Sequence, residues 1–173
     1  MTMRMPAATG AAPAFDWAAI LSPSGRWGRQ VRAGSSPDLV RREMPGGAAA
    51  FLATPYAAEV HLKKVFRPQR SALMSTLAAR EMVRLYLAGV TAVCPVLQLA
   101  EMCHAAGLVD GAAVDPLDSA AWAQWSRPML ESSAVLVVPD LQGWARCPLI
   151  ALQTGLALGL GLPVHVYARG VAP

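Results

Sequence analysis

The chain has 173 residues, 54% of them hydrophobic and 15% charged, with a net charge of +4. That is the length of one domain with apolar content for a sizeable core, which excludes a globally disordered chain. No apolar run reaches the ~18 residues that cross a bilayer, MTMRMPAATGAAPAF lacks the continuous apolar core of a secretory leader, and the widely spaced Cys94, Cys103 and Cys147 suit neither a disulfide framework nor a zinc motif. The expectation is a cytoplasmic protein with no membrane association, no metal and no cofactor.

Charge is unevenly spread. Residues 1–90 hold twelve Lys/Arg against five Asp/Glu, and residues 91–173 hold three against six. The bases are not interleaved with aromatics, so they read as a basic extension and a solvated helix face rather than a nucleic-acid surface. His61, His104 and His165 are scattered, and Cys103-His104 is adjacent rather than at ligand spacing.

Residues 1–46 read as an N-terminal extension, rich in Ala, Gly, Pro, Ser and Arg, that packs on a neighbour or stays mobile. FDWAAIL (15–21) has the spacing of a short helix, and SPSGRWGRQVRAGSSP (22–37) reads as loop. From Gly47 the pattern becomes regular, marking a domain over 47–173. AAAFLAT (48–54) is a buried strand stopped by Pro55 and Tyr56. Residues 67–88 form a long helix with Met74, Leu77, Ala78, Met82 and Leu85 on one face and Gly89 at its end. VTAVCPV (90–96) is a second strand, 97–106 a helix, VDGAAVDP a loop, and 117–132 a helix capped by Asp118 or Ser119. AVLVVPD (134–140) is the third strand, 148–159 a helix with Pro148 at its first position, and PVHVYA (163–168) the fourth strand.

Apolar strands without strict alternation, each followed by a helix, predict a parallel sheet covered on both faces. The fold class is three-layer α/β/α, flavodoxin-like, with a four- to five-stranded parallel sheet in the order 2-1-3-4. Ligands in such sheets bind at the carboxyl ends of the strands. That edge gathers Thr54, Pro55 and Tyr56, then Pro95 to Gln98, then Asp140, Gly143, Trp144 and Arg146, then the start of the last helix. No G-x-G-x-x-G follows the first strand and there is no Walker lysine; Gly155, Gly159 and Gly161 lie in or after the last helix and cannot cradle phosphates.

FLATPYA after the first strand, the long helix, "AGV", the Trp122/Trp125 helix, VLVVPDLQGW and a helix leading to LGLPV follow in an order that resembles a bacterial and phage family of unknown function (DUF1937-like) related to the nucleoside 2-deoxyribosyltransferases. The similarity covers roughly residues 48–167. It implies a deoxyribosyltransferase-like fold, a homo-oligomer (dimer or higher), and a nucleoside- or nucleotide-like small molecule as ligand. In the working transferases a Glu on the last helix attacks the anomeric carbon, a role that needs an anionic nucleophile. The matching position here is Gln153; the Asp or Ser position at the helix start is Cys147, and the small Gly is Leu149. The Asp of the preceding helix corresponds to Ser126, and an Asp that starts the third strand to Ala134. The resemblance therefore implies a kept frame with lost acids, and Gln153, Ser126 and Cys147 as degenerate catalytic positions.

Tyr56 is a candidate to hydrogen-bond a ligand, or a turn tyrosine packed on the sheet end. Gln153 is expected in the former site without catalysing. Cys147, beside Arg146 at a helix N-terminus, is either a reactive or phosphate-contacting thiol or a small buried cap. Trp144 either stacks on a base or packs against the extension or a second subunit. Trp122 and Trp125 read as core or dimer contacts, and Glu101 and Glu131 as solvated. The expected function is a deoxyribosyltransferase-like binding or assembly domain without transferase chemistry. The alternative is an active N-glycosidic-bond hydrolase or transferase using displaced acids such as Asp115, Asp118 or Asp140. A third reading, nucleic-acid binding through the basic first half, is weaker.

Overall fold

The structure, a computed structural model, describes residues 15–63, 65–108 and 114–170. The first fourteen residues of the expected extension and residues 109–113 of the expected loop lie outside them. The described elements, in order, are α1 (Trp17–Leu21), β1 (Val31–Ala33), α2 (Pro37–Glu43), β2 (Ala50–Leu52), β3 (His61–Leu62), β4 (Val65–Phe66), α3 (Pro68–Leu87), β5 (Ala92–Val93), α4 (Pro95–Ala105), α5 (Ser119–Glu131), β6 (Val135–Val138), α6 (Pro148–Gly159) and β7 (Val164–Val166).

The main sheet has five strands in the order β1-β7-β6-β2-β5, all paired in parallel. Counting the four strands expected from the sequence, this is 2-1-3-4 with one more strand outside the fourth. The pleat sorts the core into two layers. Phe51, Leu136, Val138 and Val166 face α1, α5 and α6, meeting Trp17, Leu130, Leu149 and Ile150. Ala50, Leu52, Val135 and Val137 face α2, α3 and α4, meeting Val40, Met74, Leu85 and Leu99. Burial on both faces is why the strands read as continuous apolar runs.

The helices begin and end where local chemistry directs. Pro68, Pro95 and Pro148 open α3, α4 and α6, and Asp118 caps α5 by accepting from the Ala121 N–H at 2.9 Å. Gly89 follows α3 with φ +75, the left-handed conformation that a helix stop of this kind requires.

One stretch differs from the sequence reading, and a second holds elements where none was expected. Residues 22–37, read as loop, contain the edge strand β1, and Pro37 opens α2 behind a Ser36 cap. The segment read as packing on a neighbour or staying mobile is thus part of the sheet from Val31 onward, while the short helix expected over 15–21 is present as α1. A three-residue strand carries no periodicity of its own; β1 exists because β7 offers a free edge, with Val31, Arg32 and Ala33 beside Val164, His165 and Val166. The Gln30 side chain secures the join by donating to Leu162 O at 2.7 Å and Leu158 O at 3.2 Å. The second stretch is 61–66, where β3 and β4 form an antiparallel hairpin turning through Lys63 at φ +51.

His165 ties the edge strand to its helix. It is fully buried in β7, its Nδ1 lies 2.8 Å from Ser35 Oγ, and its Nε2 is 3.6 Å from Glu43 Oε2, too long for a hydrogen bond. Glu43 itself pairs with Arg32 at 3.1 Å. Burial lowers the His165 pKa, Glu43 opposes that shift, and Arg32 adds to it. The folded state therefore favours the neutral ring, and its contribution to stability is complete above the unfolded value of about 6.5 and lost as pH falls through the lower folded value. The urea midpoint is expected to drop between pH 7 and pH 5, and His165→Asn to flatten that slope; an unchanged slope in the variant would contradict the assignment.

Candidate functional site

The carboxyl ends of β2, β5 and β6 converge above the sheet, and three helices close over them. Gln153 of α6 and Ser126 of α5 are 3% and 1% exposed. The Gln153 Nε2 donates to Ser126 Oγ at 3.1 Å, and Ser126 Oγ donates to Trp122 O at 2.8 Å. The two positions that the resemblance singles out as carboxylates in the transferases are therefore a neutral, hydrogen-bonded pair joining α5 to α6. The space left beside them is about 10 Å³, walled by Trp122 and Trp125, Leu99 and Leu149. That is room for about one water molecule. No charged side chain lines it.

Cys147 precedes α6, 4% exposed, and its side chain makes no cap hydrogen bond. Burial pushes its thiol pKa up, against the pull of the backbone N–H groups of Ile150, Leu149 and Tyr56, and Glu59 raises it further. Desolvation thus outweighs the helix terminus, and of the two readings of Cys147 the small buried residue is the one that its burial favours. Arg146 itself is exposed.

Tyr56 is 1% exposed and its hydroxyl is 2.6 Å from Ser71 Oγ, which is 2.9 Å from His104 Nε2. The hydroxyl is engaged by α3 and α4, not by Gln153. Burial raises the phenol's pKa well above its ordinary value. Thr54 is buried with Oγ1 3.8 Å from Cys94 Sγ, and Pro55 is buried between them in sequence. Trp144 is buried because Trp17 of α1 packs edge-on at 4.7 Å. Of the two uses expected for it, packing against the N-terminal segment is the one observed. Gly143 turns the chain at φ +83, and a Cβ there would come within 2.6 Å of Glu59 Oε1. The flexible end of Glu59 could move aside, so it is the positive φ that favours glycine at 143.

The remaining edge residues, Gln98 and Asp140, are exposed. Asp115 accepts from the Leu117 N–H at 2.9 Å, and Asp118 caps α5; both are exposed. Among the described residues neither they nor Asp140 hydrogen-bonds Tyr56 or Gln153. Sequence reasoning missed Glu59, which lies against Gly143; the run of bases that follows it was the available signal. It also missed Thr154, fully buried with Oγ1 unpartnered beside Gln153 in sequence. Among the described residues no group of three or more His, Cys, Asp or Glu could hold a metal ion, and no helix is long and apolar enough to cross a membrane.

Fold and site together define an α/β domain with a five-stranded parallel sheet and an uncharged, nearly filled pocket at its carboxyl edge. Residues 48–169, from just before β2 to just beyond β7, match the family described as a domain of unknown function (DUF1937), and the chain belongs to that family. No curated protein and no solved structure matches it. α1, β1 and α2 lie outside the matched span.

The buried pair makes a sharp energetic statement. Ser126→Ala leaves the Gln153 amide without its partner and should cost about 1–3 kcal/mol. Adding Gln153→Met should recover much of that loss, because no polar group then remains unpaired. A urea double-mutant cycle checks both, and strictly additive losses would show that the two side chains do not interact.

Proposed function

We propose that this protein is a deoxyribosyltransferase-like domain that does not carry out glycosyl transfer and serves as a binding module. The observation that carries the reading is the Gln153–Ser126 pair: a neutral amide and a hydroxyl, buried together, in a space of about 10 Å³. A glycosyl ester needs an anionic oxygen nucleophile, which an amide cannot supply. A nucleoside also needs far more room than one water molecule occupies. The displaced-acid alternative draws no support from Asp115, which accepts from the Leu117 N–H, from Asp118, which caps α5, or from the exposed Asp140.

The ligand class that the resemblance implies is nucleoside- or nucleotide-like. The edge groups still presented to solvent for it are Gln98, Asp140 and Arg146. A homo-oligomer belongs to the same reading, with the exposed Trp125 and Leu152 on α5 and α6 as candidate contacts.

Incubation of the protein with a panel of purine and pyrimidine deoxynucleosides, followed by chromatography for free base, tests the proposal beside Gln153→Glu. The expected outcome is no base release by either protein. Gln153→Glu is also expected to melt at a lower temperature, because it buries an unpaired carboxyl. Base release by the unmodified protein above the uncatalysed rate would sink the reading.

A further inference from the structure

We propose that the cleft between the β3–β4 hairpin and the start of α3 is a binding site for a phosphate monoester. It has a volume of about 320 Å³ and is lined by Glu59, His61, Leu62, Arg67, Gln69 and Arg70. That is the lower end of the roughly 300–1,000 Å³ range of ligand sites, and it contrasts with the 10 Å³ left beside Gln153. None of these residues belongs to the pocket described above, and the inference does not depend on the absence of glycosyl transfer.

The donors of this cleft are Arg67, Arg70 and the Gln69 amide, each with N–H groups free of protein partners among the described residues. Arg70 is held by its own neighbours: Nε donates to Glu59 O at 3.0 Å, and Nη2 lies 3.7 Å from Glu59 Oε2. This orients the guanidinium and leaves Nη1 without a protein partner among the described residues. Arg67 makes no ion pair or side-chain hydrogen bond among them, and it is exposed. His61 Nδ1 donates to Ala57 O at 3.0 Å, which fixes the ring against the cleft; with that proton spent, the neutral ring offers Nε2 as an acceptor and adds no donor. Gln69 adds an amide from the first turn of α3, where no acidic residue and no side-chain cap compete for an anion.

Glu59 is the one acid in the cleft, and its carboxylate is paired with Arg70. Two guanidinium groups against one carboxylate leave the cleft positive, and Lys63 at the hairpin turn adds a further exposed cation. Planar guanidinium forks with several N–H donors suit a tetrahedral dianion with several acceptor oxygens. The exposed Leu62 gives the cleft an apolar wall for whatever the phosphate is esterified to.

Isothermal titration with inorganic phosphate is the test, on the unmodified protein, Arg67→Gln and Arg127→Gln. Arg67 has no protein partner to lose, so its variant should keep the unmodified melting temperature. Arg127 pairs with Glu131 on α5, far in sequence from the cleft, and controls for net charge. The expected result is saturable one-to-one binding, weakened about tenfold or more by Arg67→Gln and unchanged by Arg127→Gln. No saturable binding, equal binding by Arg67→Gln, or equal losses in both variants would each overturn the proposal. Adenosine 5′-monophosphate titrated beside adenosine separates the sources. Tighter binding of the monophosphate than of either phosphate or adenosine supports the monoester assignment, and equal binding of monophosphate and phosphate overturns it in favour of a free-phosphate site. A single-stranded oligonucleotide that binds with steep salt dependence where phosphate does not would overturn the proposal in favour of a polyanion surface.

Discussion

Strands of two to four residues form few ladder hydrogen bonds, so this sheet depends on what its two faces bury. Every side chain of β2, β6 and β7 is buried, and successive residues enter opposite layers. A one-residue slip in β6 would exchange Leu136 and Val138 for Val135 and Val137 between the layers and mismatch both. Helix positions follow from this register: α5 and α6 on one side, α3 and α4 on the other. The polar pairs of the molecule are then set by where those helices come to rest.

The same packing explains why the carboxyl edge is nearly filled. α5 and α6 pack closely enough for Gln153 to reach Ser126, and Trp122, Trp125 and Leu149 take up the space around them. On the opposite face Tyr56 turns to Ser71 and His104. At the end of β6 the N-terminal helix brings Trp17 onto Trp144. Open volume and unspent charge lie instead beside the hairpin, where short strands and an uncapped helix start leave a concave surface.

Much of the architecture is legible in the residues, and the site less so. The four long apolar runs and the helices between them read directly, because burial on both faces leaves an unbroken apolar signal. β1 does not read, because Val31-Arg32-Ala33 is short and has an arginine at its centre, and its strand identity comes from β7. The hairpin over 61–66 is equally silent, with two residues in each strand and lysine at the turn. For Trp144 the sequence offers two uses of equal merit, and only the position of Trp17 separates them. For Cys147 the neighbouring Arg146 and helix terminus argue one way, and burial, which no local pattern records, argues the other.

The sequence by itself determines the order of the four long apolar strands and the absence of a carboxylate at Ser126, Cys147 and Gln153. Right-handed crossovers between buried strands leave few topologies to choose from, and an amide at position 153 is an amide in any fold. Only the tertiary structure decides whether the edge pocket is open, which hydroxyl Gln153 meets, where the Tyr56 hydroxyl points, and that Glu59 and Arg70 shape a cleft. Those are contacts between residues distant in the chain or between layers. They depend on shifts of an ångström in how the layers settle, and the order of residues carries no direct record of such shifts.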